Sequence, residues 1–367
     1  MTTAKCRWGF LSTAEIGFKN WKAIWLSGNG VVSAVASRQQ ERSQEFIDQC
    51  QKLAPFDQAP EAVGSYQALI DDPNIDAVYI PLPTGMRKEW VIKAANAGKH
   101  VVCEKPCAVN EQELREMVEA CSANHVQFMD GVMYMHTDRL QSMRSTIDDG
   151  ESIGDLRRIA VQFSFCAPDD FKEGNIRTDA SLEPHGCLGD LGWYTIRFIL
   201  WAMKYELPHT VTGRILTDYR RTEDAEAVPM EFAGELLFPG GVSATFYNSF
   251  ITEHQQWANI SGSKGNLMVN DLVLPFHSNC LDYHVNNPQF TVAGCDFNME
   301  DYSRTVRTQE YSSGAESAAE TRLFRRFAQI AVSGQLEPEW SEYSLKTQRV
   351  LDLCYESARQ ESRPMQL

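Results

Sequence analysis

The sequence predicts an N-terminal α/β domain built on a parallel sheet, followed by an α+β domain with a large, mostly antiparallel, open-faced sheet. Three observations carry this. The first third alternates short apolar runs with amphipathic stretches, the rhythm of βαβ units. After residue 130 the apolar residues recur with a period near two, as in strands with one buried face. The chain has 367 residues, more than one ordinary core organises and enough for two.

Element by element, residues 7–11 read as a strand and 16–26 as a helix. Residues 31–36 form the second strand and 41–53 the second helix. A strand at 77–80 leads into the loop Pro81-Leu82-Pro83-Thr84, and 88–97 is a helix stopped by Gly98. Residues 100–103 are a strand ending at Glu104-Lys105-Pro106, 111–124 a helix and 126–129 the last strand of the group. In the second half, 156–165, 210–216, 231–237, 242–250 and 258–261 read as strands. Helices are expected at 190–203 and 315–332. The first domain is therefore placed at 1–129 and the second at 130–367, with a final amphipathic helix, 344–359, packing back toward the first. There are no internal repeats or low-complexity tracts.

Composition narrows the function. A formal net charge of −15 argues against a surface for nucleic acid, though not against a local basic pocket. No apolar run reaches bilayer length, and Met1-Thr2-Thr3-Ala4-Lys5-Cys6 has no secretory core, so neither a membrane partner nor export is expected. The ten cysteines are scattered without a CxxC spacing, and the eight histidines show no HxxxH or HExxH pattern. This indicates free structural thiols, no metal site and a reducing, cytoplasmic setting.

The first strand runs into Gly9-Phe10-Leu11-Ser12-Thr13-Ala14-Glu15-Ile16-Gly17. A dinucleotide-binding Rossmann domain wants small residues here, so that helix-terminal amides approach a pyrophosphate. Ser12-x-Ala14-x-x-Gly17 is a degraded form of G-x-G-x-x-G, and an ordinary strand-turn-helix would fit it as well. At the end of the second strand, where an acid usually holds a ribose 2′-hydroxyl, the chain has Ala36-Ser37-Arg38. Arginine can clamp a 2′-phosphate with the serine assisting, which favours NADP(H) over NAD(H).

At Val102-Cys103-Glu104-Lys105-Pro106 the chain resembles the glucose–fructose oxidoreductase/inositol dehydrogenase (Gfo/Idh/MocA) family. The resemblance extends to Tyr79-Ile80-Pro81-Leu82-Pro83, Ala97-Gly98-Lys99-His100, Gly189-Asp190-Leu191-Gly192-Trp193-Tyr194 and the Gly262-Ser263-Lys264-Gly265 turn. It is strongest toward the dihydrodiol and xylose dehydrogenases and plant oxidoreductases with a G-D-x-G-W-Y-x-I-R pattern. It implies hydride exchange between a nicotinamide and an alcohol or carbonyl on a sugar, polyol, dihydrodiol or small ketone. Lys105 would be the acid/base, with Asp190 and Tyr194 assisting from one face of a shared helix. The cofactor contacts implied are Ser12, Thr13, Ala14, Ile16, Ser37, Arg38, Leu82, Thr84, Arg87, Glu104 and Lys105.

Arg177, His185 and Phe165 are candidates for substrate contact. A solvated arginine and a structural helix-entry histidine are the plain alternatives. The sequence departs from the family where N-x-x-H is common: it has Thr84-Gly85-Met86-Arg87, which removes an imidazole and adds charge. The same family holds a galactose-regulon co-repressor, so a catalytically silent NADP-binding regulator is the competing expectation, and a carrier that recycles its cofactor in place is a third. Val242, Ala244 and Phe246 mark the sheet face through which a homodimer, or a dimer of dimers, would form.

Overall fold

Alternating strands and helices in the first third build a six-stranded, wholly parallel sheet. The computed structural model describes residues 5–367; Met1 to Ala4, in which no secretory core was expected, lie outside the described residues. The strands are β1 (Cys6–Leu11), β2 (Gly30–Ala36), β3 (Glu61–Val63), β4 (Ala77–Ile80), β5 (His100–Cys103) and β6 (Phe128–Asp130). Between them run α1 (Ile16–Ser27), α2 (Gln40–Leu53), α3 (Tyr66–Asp71), α4 (Thr84–Asn96) and α5 (Glu111–Ala123). The order is β3-β2-β1-β4-β5-β6, so the chain reverses direction across the sheet at β1 and β4. All four residues of β4 are buried, as expected of a central strand covered on both faces. On α2 the buried Ser43, Phe46, Ile47 and Cys50 recur at helical spacing, leaving a polar outer face.

Two details differ from expectation. β3 and α3 are too short to show periodicity and were not anticipated. Helix α4 begins at Thr84, so Thr84 to Arg87 form its first turn instead of a loop.

The first compact unit comprises, among the described residues, 5–136, 181–184 and 313–349. Its late segment supplies α10 (Ala319–Ser333) and the beginning of α11 (Glu339–Arg359). Phe324 and Phe327 of α10 pack against Trp8, each with ring centroids 5.2 Å away. Arg325 donates to the carbonyls of Leu26 and Ser27, closing the C-terminal end of α1. Burying a phenylalanine contributes about 1.5–3 kcal/mol, against less than about 1 for a partly exposed pair such as Lys19–Glu320, 3.9 Å apart between α1 and α10, so aromatic packing dominates the docking of α10.

The second unit comprises residues 137–180, 185–312 and 350–367. It opens with α6 (Asp138–Asp148), β7 (Leu156–Cys166) and a single turn, α7 (Phe171–Gly174). Then follow α8 (Gly186–Asp190) and α9 (Gly192–Ala202), β8 (Thr210–Tyr219), β9 (Val228–Leu237), β10 (Ser243–Ser249) and β11 (Ile251–Gln255). The remaining strands are β12 (Ala258–Gly262), β13 (Asn266–Val269), β14 (Leu281–Asn286), β15 (Gln289–Ala293), β16 (Asp296–Glu300), β17 (Ser303–Thr308) and β18 (Met365–Gln366). All but β15 and β16 form one ten-stranded sheet, antiparallel except where β10 lies beside β7. Helices α8 and α9 pack on β7, β9 and β10.

Alternation along the strands separates a buried face, with Ile159, Val161, Phe232, Ala244 and Phe246, from an open one. The open face is polar: Arg158 donates to Ser243 and Thr245, and Asn259 donates to Asn266. Ala244 and Phe246, expected on an exposed subunit-pairing face, therefore lie in this unit's own core. The period-two pattern identified a two-sided strand but assigned its apolar side to the wrong neighbour.

Among the described residues no helix is long and apolar enough to cross a membrane. All ten cysteines are free, and burial pushes the thiols of Cys50 and Cys121 up to about 12, leaving them protonated and inert.

Candidate active site

In the first unit the candidate residues gather at the carboxyl ends of the strands, where open α/β sheets receive ligands. Leu11 passes directly into Ser12, whose φ of 142° is rare for a residue with a side chain. The Ser12 hydroxyl accepts from the Ala14 amide at 3.0 Å and shapes the turn. Helix α1 then starts without a side-chain cap, with Ile16 as its first residue, 43% exposed. At Gly17 a Cβ would stand 2.9 Å from the Phe46 ring, so glycine permits close helix packing beneath the turn. The turn into this uncapped helix end runs through the small residues Ser12, Thr13 and Ala14 and then the exposed Glu15, and an uncapped helix start offers backbone amides to a pyrophosphate.

At the end of β2 the serine and arginine diverge. Ser37 is buried, and its hydroxyl donates to the Gln39 carbonyl at 2.5 Å. Arg38 is exposed, with its charge felt at the Tyr66 phenol. Thr13 and Ala14 are half-buried, accessible beside α1.

Past β5, Glu104 and Lys105 are half-buried, and the Lys105–Pro106 peptide bond is cis. The Tyr79 hydroxyl donates to Glu104 Oε1 at 2.7 Å and accepts from the Asn20 amide at 2.6 Å. The Lys105 amide donates to Glu104 Oε2 at 3.3 Å. Burial, reinforced by the Glu104 charge, pushes the Tyr79 phenol well above its ordinary range, so it remains a donor. Local patterning did not reveal Asn20 and Tyr79, because their partners are remote in sequence. For Tyr79 the available signals were an aromatic residue in an otherwise aliphatic strand and its place in the Tyr79-Ile80-Pro81-Leu82-Pro83 segment.

Leu82, Thr84 and Arg87 are 3%, 1% and 4% exposed. The Arg87 guanidinium points into the protein, donating to the Leu82 carbonyl at 2.6 Å and to the Pro106 carbonyl. The charge introduced by Thr84-Gly85-Met86-Arg87 is thus internal.

The second unit holds the remaining candidates. Asp190 is the last residue of α8 and Tyr194 lies in α9; the expected single helix is interrupted at Leu191. Gly192 follows the break, and glycine propagates a helix poorly. Arg177 Nε meets Asp190 Oδ2 at 2.7 Å. Tyr194 is 7% exposed, edge-on to Phe163 at 5.8 Å. Phe165 is half-buried, packed with Phe171 at 5.9 Å and Phe250 at 5.2 Å.

His185 is buried edge-on to Tyr355 at 4.8 Å, and its Nδ1 has no hydrogen-bond partner. Gly186, with φ 47°, follows so close to Pro229 that a Cβ would sit 2.3 Å from its carbonyl oxygen. Burial lowers the His185 pKa to about 4 from 6.5. The folded state thus resists a proton that the unfolded chain accepts. The stabilising contribution is complete above pH 6.5 and is lost as pH falls toward 4, by about 3 kcal/mol in all. His185→Phe should flatten this part of the stability–pH curve in urea unfolding. Parallel curves for both proteins would show that other groups set the acid limb.

Residues 7–132 match the Gfo/Idh/MocA oxidoreductase family model, described as an NAD-binding Rossmann fold, and residues 140–268 match the family's C-terminal domain. The trans-1,2-dihydrobenzene-1,2-diol dehydrogenase of Mus musculus is 30% identical over 73% of this chain and 76% of its own.

The chain belongs to the Gfo/Idh/MocA family.

The D-xylose 1-dehydrogenase (NADP(+)) 2 of Haloferax volcanii is another similar protein, 27% identical over 95% of this chain and 96% of its own. Among solved structures, a 3-ketoreductase from Actinomadura kijaniata in complex with NADP and TDP-benzene superposes with a TM-score of 0.79 at 23% identity, covering 98% of each chain. An aldose-aldose oxidoreductase from Caulobacter crescentus gives 0.79 at 19% identity, covering 99% and 100%. At these identities the likeness is one of fold. The first Gfo/Idh/MocA match spans Ser12 to Lys105, and the second spans Phe165, Arg177, His185, Asp190 and Tyr194.

Proposed function

We propose that this protein is an NADP(H)-dependent oxidoreductase interconverting an alcohol and a carbonyl on a sugar, polyol, dihydrodiol or small ketone. The observation that carries it is Lys105 at the carboxyl end of β5, its backbone braced by Glu104, in the same unit as the uncapped start of α1 and the exposed Arg38. When bound, the dinucleotide supplies or accepts the hydride. Ser12, Thr13, Ala14 and Ile16 would hold its pyrophosphate, and Arg38 its 2′-phosphate. Lys105 would carry the proton to or from the substrate oxygen, with Tyr194 as donor or relay. Arg177 would hold the Asp190 carboxylate in one orientation. The xylose dehydrogenase named for NADP(+) and the ketoreductase crystallised with NADP support the choice of cofactor.

The test is NADPH oxidation and NADP⁺ reduction against aldoses, keto sugars, dicarbonyls and aromatic dihydrodiols. A flat response with tight NADPH binding would favour the silent regulator. The free thiols support a cytoplasmic setting. The polar open face of the ten-stranded sheet is the surface through which we propose a homodimer, or a dimer of dimers. Light scattering at micromolar concentration should give at least twice the chain mass; a monodisperse monomer would exclude it.

A further inference from the structure

Arg87 raises a question of its own: a guanidinium 4% exposed, beside the loop that carries the proposed acid/base. Its Nε donates to the Leu82 carbonyl, in the loop after β4, and its Nη1 donates to the Pro106 carbonyl, in the loop after β5. The same Nη1 donates to Thr84 Oγ1 at 3.0 Å. Thr84 passes the connection on: its hydroxyl donates to Glu183 Oε2 at 2.6 Å, the shorter of the two directions open to its single proton. The other Glu183 oxygen accepts the Thr84 amide at 3.0 Å, at the positive end of α4. Glu183, 8% exposed, belongs to the 181–184 segment of the first unit, which is further tied down by Gly85 N donating to the Leu182 carbonyl. Buried cation and buried carboxylate are thus linked through one hydroxyl, each charge offsetting the other across it.

We propose that Arg87 is the positioning residue for Lys105, with Thr84 and Glu183 holding Arg87 in place. Lys105 is bracketed. Its own amide is fixed to Glu104, and the carbonyl of the next residue, Pro106, is fixed to Arg87. The backbone is held on both sides, leaving the side chain to place the ammonium. Arginine suits the task because its planar fork serves two carbonyls and a hydroxyl at once, which a single ammonium cannot do in the same geometry. Placement matters because displacing a catalytic group by about 1 Å costs on the order of 10²-fold in rate.

This inference rests on the acid/base role proposed for Lys105, and the experiment separates the two. Arg87→Met alone would strand the Glu183 charge, so the informative protein is the full chain carrying Arg87→Met with Glu183→Gln, which removes both charges. It should bind NADPH with nearly unchanged affinity and lose about tenfold in kcat, with KM for the carbonyl substrate little altered. Arg87→Lys should recover part of that loss. A readout independent of turnover is trace acetylation by acetic anhydride, quantified by mass spectrometry with exposed Lys52 as internal reference. Freed from its bracket, Lys105 should label about threefold faster or more in the double variant.

Turnover and labelling both unchanged in the double variant would overturn the proposal, reducing Arg87 to charge balance. If that variant does not fold, the same two results in Arg87→Lys overturn it. A Lys105→Met protein that loses turnover while the double variant keeps it rejects positioning and leaves the catalytic reading intact. Accelerated labelling in a protein that reduces none of the carbonyls supports positioning and rejects the reading.

Discussion

Lys105→Met should still bind NADPH while its turnover falls by about 10²–10⁴-fold, the usual contribution of general acid–base catalysis. Methionine keeps most of the chain length and apolar stem, so the loop held by Glu104 and Arg87 has little reason to move. What disappears is the proton carrier. When the carbonyl carbon gains a hydride, its oxygen must gain a proton, and water is a weak acid for that purpose. The loss should therefore fall on kcat, with the NADPH dissociation constant within a few-fold of wild type. Tyr194→Phe should act in the same direction more mildly if the phenol relays the proton. An undiminished Lys105→Met enzyme would end the assignment. A loss traced wholly to weaker NADPH binding would reassign Lys105 to the cofactor.

Arg38→Ala should weaken NADPH by about one to two orders of magnitude, since a charge-assisted hydrogen bond contributes roughly 1.5–3 kcal/mol. NADH should be affected little. The geometry concentrates this expectation on one side chain. Ser37 was expected to share the 2′-phosphate, yet its hydroxyl already donates to the Gln39 carbonyl. Arg38 is exposed at the end of β2 and available to bind a dianion. Because the interaction is partly solvated, raising the salt concentration should narrow the gap between the two proteins. Equal weakening of both dinucleotides would show that Arg38 supports the loop.

Legibility in the sequence followed the range of the interactions. Helix α2 could be read because one-sided burial imposes a period that a short window contains, and the central strands β4 and β5 because burial on both faces leaves a short continuous apolar run. Strand β3, three residues long, offers no period to find. The break at Leu191 had a signal in Gly192, outweighed by the i, i+4 spacing of Asp190 and Tyr194. The partners that brace the site lie beyond any window: Thr84 meets Glu183 99 positions away, and Asn20 meets Tyr79 59 positions away. Residue type gave partial guidance even so. Arg87 stood out as an added charge, but only a fold could show that its charge is turned inward. The open sheet shows the converse, since alternation found two faces without saying which one the chain's own helices cover.

Arg325, which closes α1, lies 298 positions beyond Ser27. The aromatic residues that cover Trp8 come from the same late helix. On the ribosome, the first sheet therefore emerges long before its own cover is made. Trp8 and the end of α1 wait, unshielded, until nearly nine-tenths of the polypeptide has been synthesised. The early product is a sheet with an apolar flank, the kind of surface that chaperones bind and that aggregates when they do not. Shortening the gene from its 3′ end removes more than a tail: it takes away one wall of the nucleotide-binding unit.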